Sequence, residues 1–277
     1  MRLDIHMYSI VAFDKAEPAM TEFTSFAQRL YAGDRFFRDI DPICCTYESR
    51  YFLVQTGNRE TVGRCAGIIN PHLRYHDSPA GCVGFFECEN NAAAAHCLLY
   101  SVRSWLRDRG MTWCIGPLNG DTWHSYRVTE PSNTKPFFLD NYHKPWYGDL
   151  FRTSGFGAVA TYHSTIAHLD KLERKRDSRF VQRCAQRGIR DRALDPKRFE
   201  DEVAAIHRLC LTSFENNLLF TPASFQEMLP SYRSLQNVID PEFVRLCEDK
   251  NGSLLAFILC VPDLYNKTQR TMVIKTV

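Results

Sequence analysis

The densest gathering of side chains able to move protons or hold charge is GPLNGDTWHSYR, Gly116–Arg127. It brings Asn119, Asp121, Trp123, His124, Tyr126 and Arg127 into one short stretch. Asp121 or His124 can take a proton from an amine nucleophile, and Arg127 can hold a carboxylate or phosphate. Asn119, Trp123 and Tyr126 would then complete a substrate surface. The same residues also suit an ordered loop whose polar side chains bond its own backbone while the aromatics pack beneath.

Elsewhere the chemistry is sparser. In SFENNLLF, Ser213–Phe220, Glu215 is the candidate general base, although capping and solvation explain it equally well. His72 and His76 are four apart but lack a cysteine or carboxylate at ligand spacing, so no metal is expected. The Cys44-Cys45 and Cys82/Cys88 pairs match no zinc pattern. GxGxxG, the phosphate-binding GKS/GKT and G-x-S-x-G are all absent, which leaves dinucleotide, ATP and serine-hydrolase chemistry without support.

The elements that must position these residues follow from periodicity. Ile5–Phe13 reads as a strand, and a helix after Glu17-Pro18 carries the stripe Phe23, Phe26, Ala27, Leu30. Arg50–Gln55 and Val62–Ile69 form a hairpin through Gly57-Asn58, and Pro71 to Pro79 reads as loop. Gly81–Cys88 is a strand leading into NNAAAAHCLLYSVRSWLRDRG, a helix capped by Asn90 or Asn91 and closed at Gly110. Thr112–Ile115 follows as a strand, so strand, crossover helix and strand predict a parallel pair. Residues 116–146 read as a long ordered loop, Tyr147–Thr153 as a short helix and Phe156–Ile166 as a closing strand. Lys171–Arg179 begins a polar connector. The pattern then restarts with a strand at Ile189–Leu194 and helices capped by Asp195-Pro196 and Thr221-Pro222. A hairpin of Phe243–Glu248 with Leu254–Val261 and a strand at TMVIKTV complete it, with Lys275 facing solvent. Element order thus repeats, which predicts domains at 1–167 and 187–277 joined by a helical connector at 168–186.

The 277 residues are 44% hydrophobic, so both halves can bury a core. With 34 basic against 32 acidic residues, no nucleic-acid partner is expected. No apolar run is long enough to span a bilayer, and the amino terminus lacks the pattern of a signal peptide. The 11 cysteines are irregularly spaced, with Cys65, Cys97, Cys210 and Cys260 inside strand or helix patterns. Buried thiols of a cytoplasmic protein are expected rather than disulfides.

This element order, with the helix–Gly ending RSWLRDRG and the later SGFG, resembles the GCN5-related N-acetyltransferase (GNAT) superfamily across nearly the whole chain. IGPLNGDTWHSYR with KPWYGDLFRTSGFG, and FILCVPDLYN with TMVIKTV, resemble a bacterial subfamily of two-domain acyltransferase-like proteins. The resemblance implies tandem α/β mixed-sheet domains and acyl-CoA-dependent transfer, of acetyl or a longer group, to a small-molecule or peptide amine. It places the pantetheine arm against the fourth strand, at Phe86 and Glu87 in the first half and at Thr276 and Val277 in the second. The pyrophosphate loop falls on Asn90, Ala93 and Ala95, where Ala95 is an accepted variant and Asn90 and Ala93 are not the usual residues. The superfamily's acid tyrosine falls on Phe151, which has no proton to give, and leaves the role to Tyr147 one turn earlier or vacant. A degenerate first domain is therefore expected, with the cofactor in the second. TMVIKTV resembles a fourth strand with no loop after it, so the resemblance also implies a piece of a longer protein, inactive by itself. A non-catalytic acyltransferase-like protein that binds a ligand or partner is the alternative.

Overall fold

The computed structural model describes residues 7–42, 45–168, 178–266, 268 and 270–276. They gather into two compact units. One holds the residues up to Gly157 together with Asn216–Pro222; the other holds those of Ala158–Glu215 and Ala223–Val277. Ile5, His6 and most of the Lys171–Arg179 run lie outside the described residues, as does Val277.

In the first unit, β1 (Tyr8–Phe13), β2 (Glu48–Thr56), β3 (Thr61–Ile69) and β5 (Ser78–Cys88) form successive antiparallel neighbours. The two-residue β4 (Arg74–Tyr75) folds back on the start of β5, so the expected loop at Pro71–Pro79 contains a short ladder. The helix α1 (Ala19–Leu30) covers one sheet face and α2 (Ala92–Arg107) the other, and β6 (Trp113–Ile115) returns parallel to Ala80–Cys82 of β5. The sheet is therefore mixed, as the strand–helix–strand reading requires.

Local chemistry explains both helices. Phe23, Phe26 and Ala27 are buried from α1, one face of a 3.6-residue period. In α2 the Asn91 side chain accepts from the N–H groups of Ala93 and Ala94, and Leu98, Leu99, Val102 and Leu106 are buried. Gly110, at φ +79°, supplies the left-handed residue just beyond its end. The helix lies so close to the sheet that a Cβ on Gly81 would sit 2.3 Å from Leu106, and one on Gly67 2.7 Å from Trp105. Tyr147–Thr153 forms the expected short helix, α3, with Tyr147, Leu150 and Phe151 in the α2-side core. The Phe156–Ile166 strand does not form. That stretch is irregular and pairs with no strand among the described residues, and Val159, Tyr162 and Ile166 are exposed.

The second unit contains α4 (Ser178–Gln186) and a four-stranded antiparallel sheet in the order β10-β9-β8-β7. Its strands are β7 (Arg190–Ala193), β8 (Val244–Glu248), β9 (Leu254–Pro262) and β10 (Met272–Thr276). α5 (Phe199–Ser213) packs on β9, burying Phe199, Val203, Ile206 and Cys210, and α6 (Phe225–Leu235) packs on α5. Arg192 of β7 ties Glu202 of α5, at 2.9 Å, to Glu248 of β8. Two details differ from the sequence reading. Ser224 caps α6, through a reciprocal bond pair with Glu227, and Thr221 is fully buried elsewhere. Lys275 is half-buried and Ile274 exposed, as alternation along β10 from the exposed Met272 requires, and the register against β9 shifts between Ile274 and Thr276.

The order β7, helices, β8, β9, β10 repeats β1, α1, β2, β3, β5 with equivalent pairings. The architecture is tandem α/β, with a mixed sheet in the first unit and an antiparallel one in the second. Among the described residues no helix is long and apolar enough to cross a membrane.

Candidate functional site

A bulge in β5 builds the most unusual chemistry of the first unit. Ala66 pairs with Gly84 and Arg64 with Glu87, so Phe85 and Phe86 together oppose Cys65. Phe85 takes φ +51°, and its N–H is held by Asn119 Oδ1 at 2.8 Å. The extra residue turns Glu87 onto the α1 face, opposite Arg64, where plain alternation would have put Phe86.

Glu87 is buried there at 7% exposure. Tyr147, the first residue of α3, donates its hydroxyl to Glu87 Oε2 at 2.5 Å and accepts from Cys88 N–H at 3.1 Å. Tyr31 donates to Tyr147 Oη at 3.5 Å and itself accepts from Lys144 N–H at 3.2 Å. Burial pushes the Glu87 carboxyl up to about 7, against the pull of Arg64 and of the Tyr147 and Tyr31 hydroxyls. Burial, then the Glu87 charge, pushes the Tyr147 hydroxyl well above its ordinary value. His143, whose ring lies 6.0 Å from that of Tyr147, is lowered to about 4 by burial and is neutral at pH 7. The cluster is thus an acid–base pair poised near neutrality.

The Gly116–Arg127 loop is organised differently. Asp121 is fully buried and accepts from Trp123 N–H (2.9 Å), His124 N–H (3.1 Å) and Tyr47 Oη (2.8 Å), with His124 Nδ1 at 2.8 Å. Burial raises its carboxyl, but the bond and charge of His124, then Tyr47 and the Trp123 N–H, bring it below the ordinary value. Trp123 Nε1 donates to Thr221 O at 2.8 Å, and Asn70 Nδ2 reaches both Gly120 O and Thr221 Oγ1 at 3.0 Å. Asn141 Nδ2 bonds Tyr126 O, Arg127 N–H bonds Pro117 O, and the Arg127 guanidinium stacks 4.4 Å over the Tyr126 ring. The loop's polar groups thus bond its own backbone and its neighbours.

The structure therefore brings Asp121 and His124 together, and Tyr147 to Glu87. Asn119 ties the loop to the β5 bulge. Glu215, in the second unit, is exposed just past α5. Thr276, half-buried, ends β10 and pairs with Leu259. Among the described residues no three His, Cys, Asp or Glu side chains are placed to hold a metal ion. Sequence reasoning did not assign Glu87 an acid–base role and passed over Arg64. The available signal was a lone charge inside each of two apolar runs, GCVGFFEC and TVGRCAGII.

The first unit can be tested against the shape and charge of acyl-CoA. Along the outer edge of β5, Val83 O accepts from Leu118 N–H at 2.8 Å and Phe85 N–H is held by Asn119. Farther along, Tyr147 takes Cys88 N–H and Trp146 Nε1 takes Cys88 O. At the helix end the N–H groups of Ala93 and Ala94 are capped by Asn91, Ala95 N–H bonds Asn91 O, and Asn90 is exposed. A cavity of about 360 Å³ adjoins Glu89 and is lined by Phe26, Arg29, Leu30, Glu60, Thr61 and Glu89. Burial and Glu60 raise the Glu89 carboxyl, and Arg29 is already bonded to Glu22 at 2.6 Å. The donors that would hold pantetheine and pyrophosphate are used within the chain, and the cavity beside them is acidic. In this arrangement these residues do not fit acyl-CoA.

No family model matches the chain. It is 24% identical over 220 residues to a bacterial ceramide synthase of Caulobacter vibrioides, a match covering 78% of this chain and 57% of that protein's length. Among solved structures, a putative acetyl transferase from Pyrococcus furiosus aligns with a TM-score of 0.38 at 16% identity, over 58% of this chain and 99% of that one. A GCN5-related glucosamine N-acetyltransferase region of a fungal multi-domain beta-N-acetylglucosaminidase aligns at 0.43 and 12%, over 95% and 29%. An aminoglycoside acetyltransferase from an uncultured soil metagenomic sample aligns at 0.38 and 10%, over 60% and 100%. These likenesses are partial and concern the backbone alone.

Proposed function

We propose that the protein is an acyl-CoA-dependent N-acyltransferase in which Glu87 and Tyr147 handle the proton of an amine acceptor. One observation carries the reading: the 2.5 Å Tyr147–Glu87 bond in a buried site, where burial pushes the carboxyl up to about 7. In such a transfer the amine nitrogen would form the amide bond as the thioester C–S bond breaks, its proton passing to a base and CoA leaving as the thiol. A carboxylate half-ionised near neutrality suits that task, and Tyr147 holds it in place while sharing its own proton. Acyl-CoA, when bound, supplies the activated acyl group. In the second unit, taken by itself, Thr276 and Val277 are its candidate contacts. Asp121 and His124 become the scaffold of the neighbouring loop, Asn119, Trp123, Tyr126 and Arg127 border the acceptor side, and Glu215 is a secondary base candidate. The ceramide synthase relative supports the acceptor class, because a ceramide is an N-acylated long-chain amino alcohol. A long-chain amino alcohol is therefore the first acceptor to try.

The internally bonded β5 edge and the self-capped α2 favour a second reading, a non-catalytic ligand-binding protein. Thiol release from acetyl-CoA and palmitoyl-CoA, with the amino alcohol as acceptor, separates the two. Catalysis predicts turnover that E87Q lowers by about 10²-fold or more and N91A leaves with an unchanged KM for acyl-CoA. A raised KM in N91A would return the cofactor to the first unit. Binding of the amino alcohol without thiol release would favour the second reading.

A further inference from the structure

Arg64 is a full positive charge inside the first unit, 2% exposed and in register with Glu87 across the sheet. It makes its bonds elsewhere. Nη1 donates to Phe23 O at 2.7 Å, Nη2 to Asp39 Oδ1 at 2.9 Å, and the guanidinium lies 4.8 Å from the Phe23 ring centroid. Among the described residues Nε has no hydrogen-bond partner. A buried guanidinium needs a counter-charge, and the one it binds is Asp39, from the segment after α1, rather than Glu87. The Glu87 carboxyl is left to the hydroxyl of Tyr147.

We propose that Arg64, drawn off Glu87 by Asp39, is the positioning residue that sets the pH at which the Glu87–Tyr147 pair changes its proton, and that Asp39 tunes that setting. The inference rests on the catalytic reading of Glu87 only for its biological use; the electrostatic coupling stands on the geometry. The groups facing Glu87 are Arg64 from β3, Tyr147 from α3, and Tyr31 and Asp39 from the segment after α1. Cys88 is its neighbour in the chain, and the neutral His143 and the Lys144 backbone stand behind the two tyrosines. Burial is the largest influence on Glu87; Arg64 opposes it most, then the tyrosine hydroxyls, while Asp39 works in the same direction as burial. Deleting Asp39's charge must therefore make Glu87 the stronger acid, and deleting Arg64's charge must make it the weaker one.

The test is infrared difference spectroscopy of the buried carboxylic acid band against pH, with E87Q identifying the band. In D39N the titration of that band should move down by about one pH unit, and in R64M up by about one unit or more. R64K, which keeps the charge, should stay near wild type and serves if R64M does not fold. A D39N protein with an unchanged melting temperature and an unmoved Glu87 titration overturns the proposal. Shifted titrations with no thiol release in any variant would leave the coupling standing and defeat the catalytic reading. Where there is turnover, the acidic limb of the pH–rate profile should follow the same displacement, which a purely structural role for Asp39 would not produce.

Discussion

Two buried carboxylates of the first unit behave in opposite ways. Asp121 is surrounded by donors: two backbone N–H groups, a tyrosine hydroxyl and an imidazole nitrogen stabilise its charge, and it is held below the ordinary range. Glu87 is as well hidden but has mainly tyrosine hydroxyls for company, with the nearby guanidinium bonded to another acid, and it is raised to about 7. Burial acts alike on both; the number and charge of donors decides the outcome. The sequence pattern favoured Asp121 and His124 for chemistry; their bonds fasten the loop that carries them, and the proton exchange proposed above falls to Glu87.

The sharpest way to break this comparison is to remove each carboxylate. E87Q should lower turnover by about 10²–10⁴-fold in a thiol-release assay while leaving the melting temperature at about pH 4, where Glu87 is protonated in both states, almost unchanged. Loss of fold without a specific loss of turnover would reverse the assignment. D121A should cost about 3 kcal/mol in urea unfolding, because its donors are left buried without an acceptor. Little destabilisation would mean the loop is not held by that side chain.

The pH dependence separates the pair by sign. Glu87's folded value lies above its unfolded one, so the unfolded chain loses its proton first. Its contribution is fullest below about 4.5 and falls by about 3 kcal/mol as pH rises to about 7. Asp121's folded value lies below its unfolded one, so its contribution is present above about 3.8 and is lost as pH falls through the folded value. Stability measured from pH 3 to 8 should therefore lose its neutral slope in E87Q and part of its acid slope in D121N. The smallest effect should come from the outer fastening. T221V removes one acceptor of Asn70 and should cost about 1 kcal/mol, without moving the Glu87 titration.

Much of this molecule is legible in the chain. The α2 stripe, the Asn–Ala start and the Gly110 stop define a helix that could hardly form otherwise, and the parallel return of β6 follows from crossover geometry. The repeat of strand, helix, hairpin and strand needed only element order. Boundaries without a partner were less secure. Phe156–Ile166 has strand-forming residues but makes no ladder with any strand among the described residues, and a strand exists only as a member of a sheet. The Thr221-Pro222 pair looked like a cap, but Asn70 and Trp123, far away in sequence, claim Thr221 instead.

What the sequence determined by itself is whatever depends on near neighbours: periodicity, caps, turn glycines and the presence of one charge in each of two apolar strands. Only the tertiary structure decided what those charges face. Strand alternation from Cys82 would send Glu87 toward α2. The single extra residue at Phe85, held open by Asn119 from beyond the crossover, turns it onto the α1 face beside Arg64 and within reach of Tyr147. A bulge costs little in local sequence terms and leaves no clear mark there, yet it reverses every side chain after it. It is fixed by a hydrogen bond spanning 34 residues, a distance that composition and spacing do not encode.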